Sequence, residues 1–229
     1  MKKGLTILAG VFFIISSLQA QYYKRITVEA GTKVADKFPP SVRYLYPQFV
    51  DGKVIMKNGA VNNARLNYNL LLGEIEFIQD RDTLVIARRK DVYIVTAAPD
   101  TFYYKNSYLK LIRSGSVMVC LRDKIVLKDI VKKGALGTAN RTSSVGSYSS
   151  IPMDGKIYEL VPSDDMEFQR TLEFYILTSS GEQVQFRKKN IMELFPSKAD
   201  EINKYLKANK VNFELQDDIL RFAGFLAGL

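Results

Sequence analysis

FVDGKVIMKNGAVNNARLNYNLLLGEIEFIQDRDTLVIARRK, residues Phe49 to Lys90, is the stretch on which the reading of this chain turns. Lys53 to Lys57 puts Val54 and Met56 on one face of a short segment. Asn58-Gly59 follows, the dipeptide best suited to the two positive-φ positions of a type I′ hairpin turn. On the return, Leu66, Tyr68 and Leu70 point one way and Asn67 and Asn69 the other, because successive strand side chains alternate. Gly73 allows a further reversal, and Ile75 and Phe77 then alternate with Glu74 and Glu76. Asp80-Arg81-Asp82 turns the chain into Thr83 to Ala87, a β-branched and apolar run. The pattern predicts an antiparallel β-meander with one buried face and one wet face.

Working outward, Asp91 to Ala97, Thr101 to Lys105, Ser107 to Arg113 and Val117 to Leu121 also carry strand periodicity. Pro99-Asp100, Asn106 and Ser114-Gly115 are the turn signals between them. Arg122-Asp123-Lys124 reads as a further turn into Ile125 to Val131. Tyr93, Phe102, Tyr103, Tyr104 and Tyr108 make this region aromatic; rings at strand spacing are usually core and cross-strand pairs. Gly134 to Ser150 is rich in Gly, Ser and Thr and reads as a mobile loop. It lacks the Lys-Ser/Thr pair of a phosphate-binding loop. Strand character resumes over Lys156 to Val161 and Glu167 to Thr178, with a hairpin through Ser179-Ser180-Gly181-Glu182 onto Gln183 to Arg187. Upstream, Tyr22 to Val28 predicts an edge strand, and Pro39-Pro40 a break.

At Lys188 the period changes from two to that of a helix. Lys189 to Phe195 predicts one or two turns, stopped by Pro196. Ser197 to Asp200 has the form of a capping box, and Ala199, Ile202, Tyr205 and Leu206 then share one helical face. A last helix carries Leu215, Ile219, Phe222 and Leu226 on one side, with Asp217 and Asp218 in its first turn, where carboxylates suit the helix dipole. The expected fold class is α+β: mainly an antiparallel β-meander, as a roll, barrel or sandwich, with a small C-terminal helical segment packed on the sheet. The expected organisation is a leader over 1–20, a β domain over 21–187 and the helical segment over 188–229.

The wording YPxF (Tyr46 to Phe49), GxVxxKxG (Gly52 to Gly59), LNYNxLxGExxF (Leu66 to Phe77) and DTL (Asp82 to Leu84) resembles that of a group of secreted hypothetical proteins of Bacteroidetes-type bacteria. A second stretch, Arg187 to Leu226, shares in the likeness. The resemblance implies an envelope or secreted protein without an established activity, and it brings no functional residues with it.

Lys2 and Lys3, the apolar run Leu5 to Ile15 and Ser16 to Ala20 have the form of a signal peptide cut before Gln21. The run is shorter than the roughly 18 apolar residues a membrane span needs. The sequence therefore predicts an exported protein, periplasmic or at the cell surface, with no membrane span after cleavage. Of 229 residues, 229 − 20 leaves 209, and the formal charge of +9 becomes +7 without the two leader lysines. Such a charge favours anionic partners, glycan or nucleic acid, and is equally common in exported proteins that have none.

The chain has no histidine and one cysteine. That removes Ser-His-Asp and Cys-His catalysis, histidine acid/base chemistry, the usual zinc sites and any internal disulfide. Cys120 lies in an apolar strand-like run and reads as a buried, inert thiol. Asp164-Asp165 supplies too few ligands for a calcium site. Glu74 and Glu76, on one face of a strand, are the best acid/base candidates. Glycosidases set their two carboxylates about 5 to 9.5 Å apart, and strand neighbours meet that spacing by geometry alone, so the pair reads as the polar face of a half-buried strand. No catalytic, cofactor or metal residue is assigned. The candidate anion contacts are Arg88, Arg89 and Lys90 and, in the second basic run, Arg187, Lys188 and Lys189. The plainer reading of the first run is a solvated strand end that blunts edge pairing. The expectation is a non-catalytic binding or accessory module acting through an envelope protein partner, and the alternative a binder of anionic glycan or nucleic acid.

Overall fold

The computed structural model describes residues 25–133, 139–141 and 155–229. The expected leader lies outside these residues, as does most of the Gly134 to Ser150 segment. In chain order, the elements are β1 (Arg25–Val28), the short helices α1 (Val34–Lys37) and α2 (Pro40–Arg43), β2 (Val50–Met56), β3 (Val61–Asn69), β4 (Glu74–Gln79) and β5 (Asp82–Val85). Then come β6 (Val92–Ala97), β7 (Asp100–Tyr104), β8 (Tyr108–Arg113), β9 (Met118–Lys133), β10 (Ala139–Arg141), β11 (Asp165–Leu177) and β12 (Gln183–Gln185). The helices α3 (Lys188–Leu194), α4 (Ala199–Asn209) and α5 (Gln216–Leu226) close the chain. All pairings are antiparallel, and the strands form one sheet in the order β1-β11-β9-β8-β7-β6-β2-β3-β4-β5, with β10 on β9 and β12 on β11. The expected α+β class with a β-meander is what the chain adopts.

The sheet curls, so that strands from its two ends share one apolar core. Val28 of β1, Leu66 of β3, Ile75 of β4, Val95 of β6, Ile125 of β9 and Phe168 of β11 all belong to it. One backbone hydrogen bond spans the curl, from the Ile125 amide to the Leu70 carbonyl at 2.8 Å. Gly52 lets β2 and β6 lie this close, because a Cβ there would collide with the Thr96 carbonyl oxygen. A second core gathers Val119 and Leu121 of β9, Phe174 and Ile176 of β11, Phe186 and the helices α3 to α5.

The long strands β9 and β11 run through both cores, and the border between them is ionic. On one face of β9, Val119 and Leu121 serve the second core, Ile125 the first, and Asp123 lies between. Asp123 accepts from Arg170 of β11, Nε to Oδ1 at 2.7 Å, with a second bond from Nη2. The sequence suggested a turn at Arg122-Asp123-Lys124, but these residues sit mid-strand. The charges of Arg122 and Asp123 are met by partners 51 and 47 residues away, Glu173 and Arg170, which local reading cannot see.

Other expectations are corrected in detail. Gly155–Glu159 is a 3₁₀ turn rather than a strand; it buries Ile157, and nearby the Leu160 carbonyl takes the Val34 amide at 2.9 Å. The β2–β3 reversal has positive φ at Gly59 but not at Asn58, whose side chain instead accepts from the Ala60 amide at 3.0 Å. Ser197 does not cap α4: it lies in the 3₁₀ turn Pro196–Lys198, and no side chain bonds the helix start. Leu215 precedes α5 and is exposed. Within the expected loop, Ala139–Arg141 pairs with β9. Cys120 is fully buried, and burial pushes its thiol up to about 12.

Candidate functional site

The face of β3 and β4 that alternation marks as wet is buried. Asn67 is 1% exposed, Asn69 0% and Glu76 6%. The segment between α2 and β2 covers it, running beside β3: the Leu45 amide donates to the Tyr68 carbonyl and the Leu70 amide to the Arg43 carbonyl. Asn67 extends that pairing with its side chain. Its Oδ1 accepts from the Tyr46 amide at 3.1 Å and its Nδ2 donates to the Tyr46 carbonyl at 3.0 Å. Asn69 Oδ1 accepts from the amides of Leu71 and Leu72, both at 3.1 Å, which holds the turn into β4. Its Nδ2 lies 3.0 Å from Glu76 Oε1 and 2.8 Å from the Tyr158 hydroxyl. Glu76 Oε2 accepts from Tyr44 at 2.6 Å. Burial, and then the bond to Glu76, raise the Tyr44 pKa, which keeps the phenol a donor.

A cleft of about 410 Å³ opens on this face, lined by Arg43, Tyr44, Glu76, Thr83, Val85 and Tyr158 among others. Arg43 is its cation. The guanidinium carbon sits 5.0 Å from the Tyr44 ring centre and 4.9 Å from that of Tyr158, a cation–π clamp. Arg43 forms no ion pair among the described residues, and its Nε is buried without a partner. Glu76 is already satisfied by Tyr44 and Asn69.

The other face of the same sheet end carries an apolar groove of about 780 Å³, reaching from Val54 and Met56 across Phe77 to Leu84 and Ile86. Leu84 is exposed on this face, at 41%, whereas Val61, Ile78 and Val85, exposed at 54, 38 and 41%, belong by side-chain direction to the opposite face. All four residues of β5 are exposed, and its one strand neighbour among the described residues is β4. In the two-residue hairpin the flanking pair, Gln79 and Asp82, is the hydrogen-bonded one. Alternation then turns the amides and carbonyls of Thr83 and Val85 to the open edge.

The two basic runs stand apart. Arg88 to Lys90 lies in the connection between β5 and β6, where Arg89 pairs with Glu74 and Arg88 lies 3.9 Å from Asp91. Arg187 precedes α3, near Glu173, and Lys188 and Lys189 are exposed in the first turn. Strands β9, β8 and β7 separate β11 from β6 in the sheet, and the two runs share no ion-pair partner.

Glu74 is the half-buried member of the carboxylate pair. Burial raises its pKa against the opposing pull of Arg89 and Lys124, and its Oε2 is buried without a partner, as is the Tyr108 hydroxyl. Glu173 goes the other way: burial raises it, but bonds from Tyr175 and Arg122 outweigh that and leave it low. No group of three or more His, Cys, Asp or Glu placed to hold a metal occurs among the described residues. None of the described helices is long and apolar enough to cross a membrane.

Comparison with known proteins finds no matching family model, no matching curated protein and no matching solved structure. The site therefore rests on its own geometry. Reading the sequence missed Arg43, Tyr44 and Tyr158 as a group, since they come from segments with weak periodicity. The signal that was there is Asn67-Tyr68-Asn69, two amides on one strand face flanking a core tyrosine.

Proposed function

We propose that this chain is an exported, non-catalytic envelope protein, a binding or accessory module that works by holding another protein. The observation that carries this reading is the β4–β5 end of the sheet, where an apolar groove of about 780 Å³ meets an edge strand with open backbone groups. Contiguous apolar surface beside an open edge is what a protein partner covers. Glu76 supports the non-catalytic half, since both its oxygens are held by Asn69 and Tyr44. The reading as a binder of anionic glycan or nucleic acid draws less support, because Arg89 is engaged by Glu74 and the two basic runs are separate.

The test is crosslinked affinity capture from envelopes of the source organism, at low and high salt, with wild type and Leu84→Asp. The expected result is one protein retained by wild type at both salts and lost with the variant. Capture that vanishes at high salt, with glycan or nucleic acid in the low-salt eluate, would overturn the reading.

A further inference from the structure

The edge strand β5 has a different cleft on each of its faces. Phe77 stands opposite Leu84 and Glu76 opposite Val85, and directly paired residues share a face. By side-chain direction Leu84 therefore belongs to the side of the apolar groove and Thr83 and Val85 to the side of the Arg43 cleft, while Leu84 and Val85, at the sheet edge, reach the lining of both. A polypeptide added along the open edge would continue this alternation. Its residue opposite Leu84, and those two positions either side, would present side chains to the groove. Those opposite Thr83 and Val85 would turn toward Arg43, a clamped cation with no carboxylate partner among the described residues.

We propose that β5 receives an extended segment of a partner protein in which apolar residues alternate with at least one carboxylate, the apolar side chains filling the groove and the carboxylate meeting Arg43. This rests on the protein-binding reading above and adds the chemistry of the partner to it. Backbone bonds to Thr83 and Val85 supply affinity that does not depend on sequence. Specificity comes from the two clefts. Glu76 lines the same cleft as Arg43 and repels a carboxylate placed near it. Its two oxygens already hold neutral donors, which leave its charge in place, so the partner's carboxylate is held by direct contact with the guanidinium and not by the field of the cleft.

The probe is a labelled eight-residue peptide in which valine alternates with glutamate, titrated into the purified protein. Its counterparts carry glutamine or lysine at the glutamate positions. Binding of the glutamate peptide is expected to be about tenfold tighter than that of the glutamine peptide, as for one charge-assisted bond. Arg43→Glu is expected to reverse the order in favour of lysine. Val85→Pro removes an outward amide without taking a bond from β4, and is expected to weaken all three peptides alike. Circular dichroism identifies folded variants, and the order of the three peptides on wild type needs no variant at all.

Equal affinities for the three peptides on wild type would overturn the proposal. So would self-association of the chain through β5, seen as a dimer in sedimentation that Val85→Pro abolishes. Failure of this inference is separable from failure of the protein-binding reading: envelope capture sensitive to Leu84→Asp with no charge preference would retain the reading and remove the carboxylate.

Discussion

Around Asn69 the molecule is closed by hydrogen bonds, and around Phe222 it is closed by rings. The β3–β4 face is covered by an irregular segment whose contacts are amide, phenol and carboxylate, each with a named partner. The β9–β11 end is covered by α4 and α5, where Tyr205 stacks on Phe222 and Phe225 and Phe186 meets Phe222 edge-on at 5.8 Å. Aromatic packing tolerates small adjustments, since it has no single required geometry. A buried polar network does not, because each member left unpaired carries the full cost of its desolvation.

That contrast is open to test. Phe222→Ala is expected to have the largest effect, about 4 kcal/mol by chemical denaturation, because a fully buried ring leaves a cavity. Phe222→Leu should recover more than half of it. Asn69→Ala is expected to cost about 3 kcal/mol, with two turn amides and Glu76 losing partners together. Here Asn69→Leu, close in size, should recover almost nothing. If leucine rescues at 69 as well as at 222, the two regions are held in the same way and the comparison fails.

A smaller effect sharpens it through pH. The folded chain holds the Glu74 proton more tightly than the unfolded one, so the stability of wild type relative to Glu74→Gln should rise as pH falls through the raised value toward 4.5. Glu173 is depressed: its contribution is present above 4.5 and lost as pH falls through its lowered value, so wild type relative to Glu173→Gln should decline there. Both side chains reach solvent in part, so each slope should integrate to about 1 kcal/mol or less. Denaturation midpoints from about pH 3 to pH 7 check the opposite signs.

How much of this could be read beforehand follows from where the partners lie. The strand alternation of β3 and β4 and the helical face of Ile202 and Tyr205 are local patterns, and they were legible. The burial of Asn67 and Asn69 was not, because the segment that covers them is irregular and a polar side chain looks the same from sequence whether water or Tyr46 satisfies it. The continuity of β9 was hidden for a related reason: Arg122-Asp123-Lys124 has the composition of a turn until β11 supplies Glu173 and Arg170. Of the candidate site, the strand was visible in Thr83 to Ala87, although β5 begins at Asp82 and ends at Val85, and its place at the sheet edge was not visible. The clamp on Arg43 was not, since Tyr158 lies more than a hundred residues away.

The measurement that bears most directly on the account is amide hydrogen exchange, read residue by residue along β5, for the protein alone and with its captured partner. The prediction is that Thr83 and Val85 exchange fast in the free protein while Leu84 is protected by β4, and that both slow when the partner binds. Protection of Thr83 and Val85 in the free protein, or fast exchange that persists with the partner bound, would contradict it.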